Sequence, residues 1–550
     1  MSTQSREKLP GVAEHKNEAG SDFKTTEHDD AKSVDDEAVA VRRVALRRAL
    51  SARQVSMIAI AGTIGTGLFL GTGRSLVKGG PASLLICYSL VGAIVYVTLL
   101  LLGEMATQYP VAGSFTIYAT RFVDDAYGFA LSWNYWFNDA VSVASDLTAA
   151  QLLVNYWTDW HPWVVPLILF FVLLAFNGIH VAAYGELEYW LASLKIVTIV
   201  IFLLISILVN AGVNTDHHYI GTENWRLPDA PFVHGFGGFA SVFVTASFAY
   251  GGTESLGITA GETSNPSKTL PRVVKMVFWR ILLFYILSVL FIGLNVPWTW
   301  PDLSTKSATT SPFTITFQRI GSNVAGSFMN TVVLTSVLSA GNHAMFAGTR
   351  VLYSLSVARQ APAFFSTTSA NGVPVYALLA TSSISLLCFG ASFIGAGDLW
   401  NWLQNIVGVS NQIAWLSIGL TSWRFRKAWV KQGRSLDDLK FQGARWTWGW
   451  GDKFVVIGVA VLILVQGWSS FSPSFDAVSF VSYYIQIPAM IVFWAVWKLV
   501  HRRPFIDHAT VDLAKDEHIE TEVDRALDDI REARLTGKWR HAWRAYYLIA

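Results

Sequence analysis

The chain has 550 residues, of which 52% are hydrophobic, 14% are aromatic and only 15% are charged. Together with a mean hydropathy of +0.39, this composition excludes an ordinary soluble protein and predicts a polytopic membrane protein. The net charge of +2 comes without a basic cluster of the nucleic-acid-binding type, and the only two cysteines lie in separate apolar segments, so neither a nucleic-acid partner nor a disulfide framework or thiolate metal site is expected.

Residues 1–53 are rich in charged residues, Ser and Thr and contain almost no aromatic residue. This composition predicts a disordered tail, because such a segment cannot bury enough apolar surface to offset the entropy of ordering. An arginine cluster ends the tail just before the first apolar segment, and by the positive-inside rule it predicts a cytosolic N-terminus. The cluster consists of Arg42, Arg43, Arg47, Arg48 and Arg53.

Twelve apolar segments follow, each long enough to cross about 30 Å of hydrocarbon. They lie at residues 55–76, 82–108, 127–156, 163–183, 187–210, 235–260, 272–296, 325–356, 374–396, 400–423, 454–471 and 478–500. Basic residues are concentrated in the connections that this count assigns to the cytosol, which supports the topology. An even number of spans also returns the C-terminal tail, residues 501–550, to the cytosol.

Glycines interrupt two of these segments. The first span carries three glycines within the six residues 62–67, and the sixth span carries Gly251 and Gly252. A break at membrane depth leaves backbone N–H and C=O groups unpaired, which is tolerable only where a cavity or a ligand satisfies them. Paired broken segments at corresponding positions predict a transporter with its binding site between them.

The fold class is therefore predicted as an all-α integral membrane protein with twelve transmembrane helices. Breaks in spans one and six divide the chain into a five-plus-five inverted repeat. The first repeat covers residues 54–210 and the second residues 234–424, while residues 453–500 supply two extra helices. Both tails are expected to be cytosolic, where they are candidate contacts for ubiquitin-dependent trafficking machinery.

Several motifs resemble those of the fungal amino acid permeases, a family within the amino acid, polyamine and organocation superfamily. They are Gly62 to Phe69 (GTIGTGLF), Gly103 to Met105 (GEM), Phe248 to Glu262 (FAYGGTESLGITAGE), Asn265-Pro266 and Ser339 to Leu352 (SAGNHAMFAGTRVL). The similarity extends from about residue 50 to about residue 503 and follows all twelve spans in order.

The resemblance implies proton-coupled import of free L-amino acids across the plasma membrane, driven by the proton gradient without a cofactor. A broad or neutral substrate range is the first expectation, and selectivity for cationic amino acids is the alternative. The partners expected are thus amino acids, protons and the lipid bilayer.

An amino acid zwitterion needs hydrogen-bond donors for its carboxylate and acceptors for its ammonium group. The freed N–H groups near Thr66 and Gly67 begin the second half of span one, where the helix dipole favours an anion. The resemblance assigns the ammonium group to backbone carbonyls of both breaks, at Thr63, Phe248 and Gly251. It also implies that Asn138 and Asp146 of span three face the substrate. The full set of expected substrate-binding residues is Thr63, Ile64, Gly65, Thr66, Gly67, Phe248, Ala249, Gly251, Asn138 and Asp146.

Ionisable residues inside a span are costly and are candidates for function. Lys195 in span five and Glu254 after the second break are the two candidates for proton coupling, because burial shifts both side chains towards their neutral forms. A purely structural role is the alternative for each. Glu104 and Glu262 lie near cytosolic ends of their spans and are expected to take part in gating or helix-end contacts.

Two other function classes remain open at this point. A non-transporting amino acid sensor is one, although the N-terminal tail is shorter than the tails of such sensors. An intramembrane enzyme is the other, but the sequence contains no His-Glu-x-x-His, Gly-x-Ser-x-Gly or Walker A motif. The expectation is therefore a non-enzyme.

Overall fold

A computed structural model describes residues 64–518, except residues 112, 159, 180, 260–265, 302, 304–309 and 370. Within these residues the regular secondary structure is entirely helical, in agreement with the all-α class expected from the sequence. The tail 1–53, residues 519–550 and the site candidates Thr63 and Glu262 lie outside the described part, so the expectations placed on them stay predictions.

The α-helices are numbered here in chain order. They are α1 (Thr66–Phe69), α2 (Gly71–Gln108), α3 (Ser114–Phe122), α4 (Asp125–Val154), α5 (Val164–Ile179), α6 (Val181–Asn210), α7 (Gly235–Tyr250), α8 (Ser255–Thr259), α9 (Pro266–Arg280), α10 (Leu287–Asn295), α11 (Pro312–Gln318), α12 (Asn323–Val357), α13 (Val375–Ser385), α14 (Ala391–Ile394), α15 (Ala396–Lys431), α16 (Gly451–Val465), α17 (Ala477–Tyr484) and α18 (Gln486–His501). A π-helical turn, Ile281–Ile286, joins α9 to α10.

Six helical stretches in the described residues are long and apolar enough to cross a membrane. They are Gly71–Gln108, Glu188–Asn210, Leu270–Asn295, Val324–Val357, Val375–Ile394 and Gly451–Ser470. The helices α17 and α18 meet at an angle of 49° and together form a seventh candidate. The remaining segments of the twelve predicted contain shorter helices or helices with more polar residues.

The boundary between the first two predicted spans is a single residue. Helix α2 runs through both, and only Gly80 leaves the helical region, with φ 81° and ψ 174°. A side chain is disfavoured there, because a Cβ atom on Gly80 would lie 2.6 Å from the carbonyl oxygen of Pro231. The sequence predicted a loop between residues 76 and 82, and the structure replaces it with this sharp kink.

Many large apolar side chains are exposed, and several charged side chains are buried within a largely apolar interior. Large apolar side chains such as Phe393, which is 89% exposed, and Leu464, at 73%, point outward. Charged side chains such as Glu254 and Lys195 are almost completely buried. An apolar exterior with buried charged side chains is the arrangement that a lipid environment favours, since hydrocarbon does not solvate charges.

Helix α4 is the central element of the bundle. It packs along α12 and α15, while α2 packs along α7. The short helix α1 contacts α7 and α12. The two interrupted segments, α1–α2 and α7–α8, are thereby held next to each other in the interior.

The segment after α18, residues 504–518, lies across the ends of several helices, and we call it the strap. The side chain of Leu513 is only 2% exposed, and the hydroxyl of Tyr109 donates to its carbonyl oxygen at 2.8 Å. Ion pairs add to this contact, with Lys431 3.1 Å from Asp507 and Arg434 3.3 Å from Glu517. The backbone N–H of Ala509 and the ammonium group of Lys431 lower the pKa of the exposed Asp507 carboxyl.

We expect Leu513→Asp to release the strap, because an aspartate at this buried position loses its hydration without gaining an ion pair. Trypsin cleavage within residues 502–518 should accelerate about tenfold, as measured by limited proteolysis of the detergent-solubilised protein. Ala514→Asp adds the same charge at the neighbouring exposed residue and serves as the control. Equal cleavage of the two variants would contradict the docked position of Leu513.

Candidate functional site

A cavity with about 580 Å³ of empty space lies where the two interrupted segments meet. Its walls come from the start of α1, one face of α4, the break after α7, the middle of α12 and the middle of α15. The lining residues are Gly65, Thr66, Gly67, Tyr135, Asn138, Asp139, Ser142, Asp146, Phe248, Ala249, Gly251, Gly252, Ala340, His343, Ala344, Ala347, Val407 and Asn411.

The first wall is the start of α1. Gly65 precedes the helix in an extended conformation, with φ −151° and ψ −146°, and its carbonyl accepts hydrogen bonds from the N–H groups of Leu68 and Phe69 at 3.2 Å. The N–H groups of Thr66 and Gly67 come before the first intrahelical donors, so they are available to a ligand in the cavity. Ile64 is fully buried beside this turn but does not line the cavity.

The second wall is the break in span six. Helix α7 ends at Tyr250, Gly251 is extended, and Gly252 has a φ of 82°, a conformation that suits glycine. The carbonyl of Phe248 accepts the N–H of Gly251 at 3.1 Å, which leaves a lone pair of this oxygen for another donor.

Neighbouring helices satisfy other carbonyls at this break. The hydroxyl of Tyr285 donates to the carbonyl of Ala249 at 3.0 Å, and the side-chain amide of Asn411 donates to the carbonyl of Ser247 at 3.2 Å. The ammonium acceptors expected at Phe248 and Gly251 therefore lie at the cavity, whereas the Ala249 carbonyl is already engaged by a tyrosine.

The two breaks are in direct contact at Gly67. A Cβ atom added to Gly67 would lie 2.3 Å from Cα and 2.9 Å from the backbone nitrogen of Ala249. Such distances are far inside van der Waals contact, so only glycine permits this approach. A side chain at Gly67 would therefore collide with the backbone at the end of α7.

Helix α4 presents a polar face to the cavity. Tyr135, Asn138, Ser142 and Asp146 recur at intervals of three or four residues, which places them on one face. Asp146 is buried, and its carboxylate accepts a hydrogen bond from the hydroxyl of Thr66. The side-chain amide of Asn138 donates to that of Asn411 at 3.0 Å. The predicted side chains of span three thus join the walls formed by span one and span ten.

Asp139 also lines the cavity, although it was not among the substrate-binding residues expected from the sequence. One of its carboxylate oxygens, Oδ2, is buried without a hydrogen-bond partner. The neighbouring glycine, Gly348, allows this close packing, because a Cβ atom there would lie 3.0 Å from Cβ of Asp139. A buried acceptor of this kind has unused capacity for a cationic or hydrogen-bonding ligand.

Lys195 does not line the cavity but lies behind its wall. It is 1% exposed and within electrostatic range of two carboxylates, those of Glu188 and Asp146. Glu188 in turn accepts hydrogen bonds from Ser339 at 2.7 Å and from Asn342 at 3.0 Å. Asp146 therefore belongs both to the cavity and to a buried charge network.

Glu254 is completely buried outside the cavity lining. Its carboxylate accepts from the hydroxyl of Tyr135 at 3.0 Å and from the indole of Trp415 at 3.1 Å. The N–H of Gly252 and the hydroxyl of Thr253 add two longer hydrogen bonds, at 3.3 Å and 3.2 Å. Four donors thus hold this carboxylate at the second break.

Tyr135 also lines a second cavity, with about 790 Å³ of empty space. Arg350 and Asp125 are the charged residues of its wall, together with small polar residues of α3 and α12. Because one side chain borders both cavities, the Tyr135 ring is part of the partition between them.

Glu104 is remote from both cavities. Arg426 donates to its two carboxylate oxygens at 3.0 Å and 2.6 Å, and the indole of Trp448 donates at 3.2 Å. Both charged side chains are buried. This bidentate pair ties the end of α2 to α15, an arrangement of the helix-end type expected from the sequence.

The sequence alone did not identify Glu188, Tyr135 and Asn411 as residues of the site. Glu188 had a usable signal, since it lies seven residues before Lys195 and therefore on the same helix face. Asn411 is one of several polar residues in span ten, and the sequence contains nothing that marks it above the others.

Comparison with known proteins shows the family to which this chain belongs. A family described as "Amino acid permease" matches residues 54–509. A probable amino-acid permease of Schizosaccharomyces pombe is 42% identical over 86% of this chain and 95% of its own length. A lysine-specific permease of Escherichia coli is 39% identical, covering 86% and 97% of the two chains. A general amino-acid permease of Candida albicans is also 39% identical, covering 84% and 79%.

We expect Gly67→Ala to reduce labelled amino acid uptake by at least about tenfold, because the added methyl group would collide with the backbone of Ala249 and separate the two breaks. Uptake should be normalised to the amount of protein at the cell surface. Gly178→Ala is the matched control, since nothing lies within 4 Å of a Cβ atom built there. Wild-type uptake by the Gly67 variant would contradict the contact between the breaks.

Proposed function

Because this chain belongs to the amino acid permease family, we propose that it is a proton-coupled symporter that imports L-amino acids across the plasma membrane. The observation that carries this proposal is the cavity between the start of α1 and the break after α7, which is lined by Thr66 and Gly67 on one side and by Phe248 on the other. A small zwitterion matches these groups.

The proposed architecture has twelve spans in a five-plus-five inverted repeat, with both termini in the cytosol. The contact between Gly67 and Ala249 supports it, because it brings the first elements of the two proposed repeats, residues 54–210 and 234–424, together in the interior. The basic connection between α15 and α16 supports the orientation.

In the proposed transport cycle, the carboxylate of the substrate binds at the N–H groups of Thr66 and Gly67, and its ammonium group binds at the Phe248 carbonyl. The partition at Tyr135 separates this site from the second cavity, which is the proposed route to the cytosol. Movement of α1 and α7–α8 relative to α4 and α12 would open one side at a time.

Lys195 is the proposed proton-coupling residue in preference to Glu254. Lys195 is within range of Asp146, which lines the substrate cavity, whereas Glu254 is held by four donors outside the cavity lining. A proton exchanged at Lys195 changes the charge next to the bound substrate, which couples the two events.

Uptake of a labelled amino acid into proteoliposomes tests the function, with and without an inward proton gradient. We expect gradient-driven accumulation in the wild type, which a protonophore abolishes. In Lys195→Met, this accumulation should fall at least about tenfold, while exchange between labelled and unlabelled substrate continues. If accumulation survives in this variant, Glu254 becomes the candidate for proton coupling. If the wild type binds amino acids but does not take them up, the protein is a sensor.

A preference for cationic amino acids is the second candidate for the substrate range, after a broad or neutral range. The buried Asp139 oxygen without a hydrogen-bond partner favours it, since an ammonium or guanidinium side chain would supply the missing donor. The Asp146 carboxylate is already engaged by Thr66 and lies near Lys195.

If a cationic side chain is bound, Asp139→Asn should raise KM for lysine about tenfold and leave KM for leucine within about twofold. Asp146→Asn should impair both substrates, because it disturbs the buried charge network. A competition series of twenty unlabelled amino acids against one labelled substrate measures the range in each variant. Equal losses for lysine and leucine in Asp139→Asn would assign this carboxylate a structural role.

A further inference from the structure

A buried arginine lies on the segment that carries the proposed carboxylate site. Arg74 in α2 is only 1% exposed. Its guanidinium donates to the side-chain carbonyl oxygen of Gln404 and, at 2.9 Å, to that of Asn405. These contacts connect span one directly to span ten. Asn405 is held in place by its own hydrogen bond to Ser482 at 2.9 Å.

The acceptors of Arg74 are all neutral in the part of the chain that the structure describes: two side-chain amides and, at 3.4 Å, the backbone carbonyl of Asn401. Arg426 provides the contrast, because its guanidinium binds the Glu104 carboxylate through two charge-assisted hydrogen bonds. Neutral acceptors hold a guanidinium less strongly than a carboxylate does, so the Arg74 contact is the weaker of the two.

The Arg74 contact is also incompletely satisfied. The Nε atom of Arg74 and the Nε2 atom of Gln404 are both buried without a hydrogen-bond partner. A buried donor in this condition is costly, and an anionic acceptor that reached it would relieve the cost. A carboxylate is therefore a better hydrogen-bond acceptor for the Arg74 guanidinium than the two amides that bind it in the structure.

The position of Arg74 relates it to the substrate cavity. Gly67, Gly71 and Arg74 follow one another at intervals of four and three residues, which places them on the same side of the span. A rise of 1.5 Å per residue puts Arg74 roughly 10 Å from Gly67 along the axis, towards the Gly80 kink. Gly71 lies against the same partner, since a Cβ atom there would be 3.0 Å from Nε2 of Gln404.

We propose that Arg74, Gln404 and Asn405 form an outer latch, and that the carboxylate of an entering amino acid opens it. The carboxylate replaces the two amides on the Arg74 guanidinium, which releases span one from span ten. The substrate then moves inward to the N–H groups at the start of α1, and the amides recapture Arg74 behind it. This inference rests on the proposed function, including its orientation with Gly80 at the extracellular end of span one.

The experiment measures opening of the latch independently of transport. Thr245 is 1% exposed and faces Gly71, so Thr245→Cys places a reporter thiol beneath the latch. The native thiols at Cys87 and Cys388 are buried and provide the background measurement. Labelling of whole cells by a membrane-impermeant thiol reagent measures access from outside and does not require transport.

In this background, Arg74→Gln should label about tenfold faster than the parent and raise KM for external amino acid about tenfold, with KM at the inner face unchanged. External amino acid should accelerate labelling of the parent but not of Arg74→Gln, and an amine that lacks a carboxylate should accelerate neither. Lys78→Gln replaces the other basic side chain at this end of α2 and keeps the hydrogen bonds from Arg74 to span ten, so it should behave as the parent.

Asn405→Leu keeps Arg74 and removes one competing acceptor. It should therefore label faster than the parent without an increase in external KM, and it tests the latch even if Arg74→Gln fails to reach the membrane. Any one of three results would overturn the proposal. They are unchanged labelling in both variants, equal KM changes at the two faces, and an effect of Lys78→Gln equal to that of Arg74→Gln. If wild-type vesicles take up no amino acid, the proposed function fails, whereas the labelling difference still reports the latch.

Discussion

The interior depends on a backbone contact between the start of α1 and the end of α7. Gly67 and Ala249 meet there with no room for a side chain, and both residues line the cavity. In hydrocarbon, the polar groups freed at such helix ends would each cost several kcal/mol. Here they are satisfied from surrounding helices, as when Tyr285 and Asn411 donate to carbonyls near the end of α7. A polar cavity remains where the satisfaction is incomplete.

The buried charges of the interior differ in how firmly they are held. Glu254 has four donors and Glu104 has a bidentate arginine, so both are suited to fixed positions. Arg74 and Asp139 each retain a buried polar atom without a hydrogen-bond partner. In a protein that must exchange ligands, incompletely satisfied groups are the ones that a substrate can engage with a gain in free energy. The number of hydrogen-bond partners therefore separates the charged groups that hold the helices in place from those that are candidates for movement and ligand binding.

Asp146 connects the cavity with the ionisable interior. Thr66 at the first break donates to it, and Lys195 lies within electrostatic range on its other side. A change in the charge of either neighbour is therefore felt at the wall of the cavity, since electrostatic interactions are strong where water is excluded. This proximity is the physical basis of the proposal that proton coupling takes place next to the substrate cavity.

The sequence by itself determined the membrane class, the all-helical character and the two glycine interruptions, because apolar length and backbone freedom are local properties. Helical periodicity also predicted that Asp139 and Asp146, seven residues apart, share one helix face. Only the tertiary structure decided the partners, since pairs such as Thr66 with Asp146 and Glu104 with Arg426 are 80 and 322 residues apart. For the same reason, it alone showed that Tyr135 donates to Glu254 and that Gly80 turns the chain without a loop: such contacts arise from packing between distant segments, which no local pattern encodes.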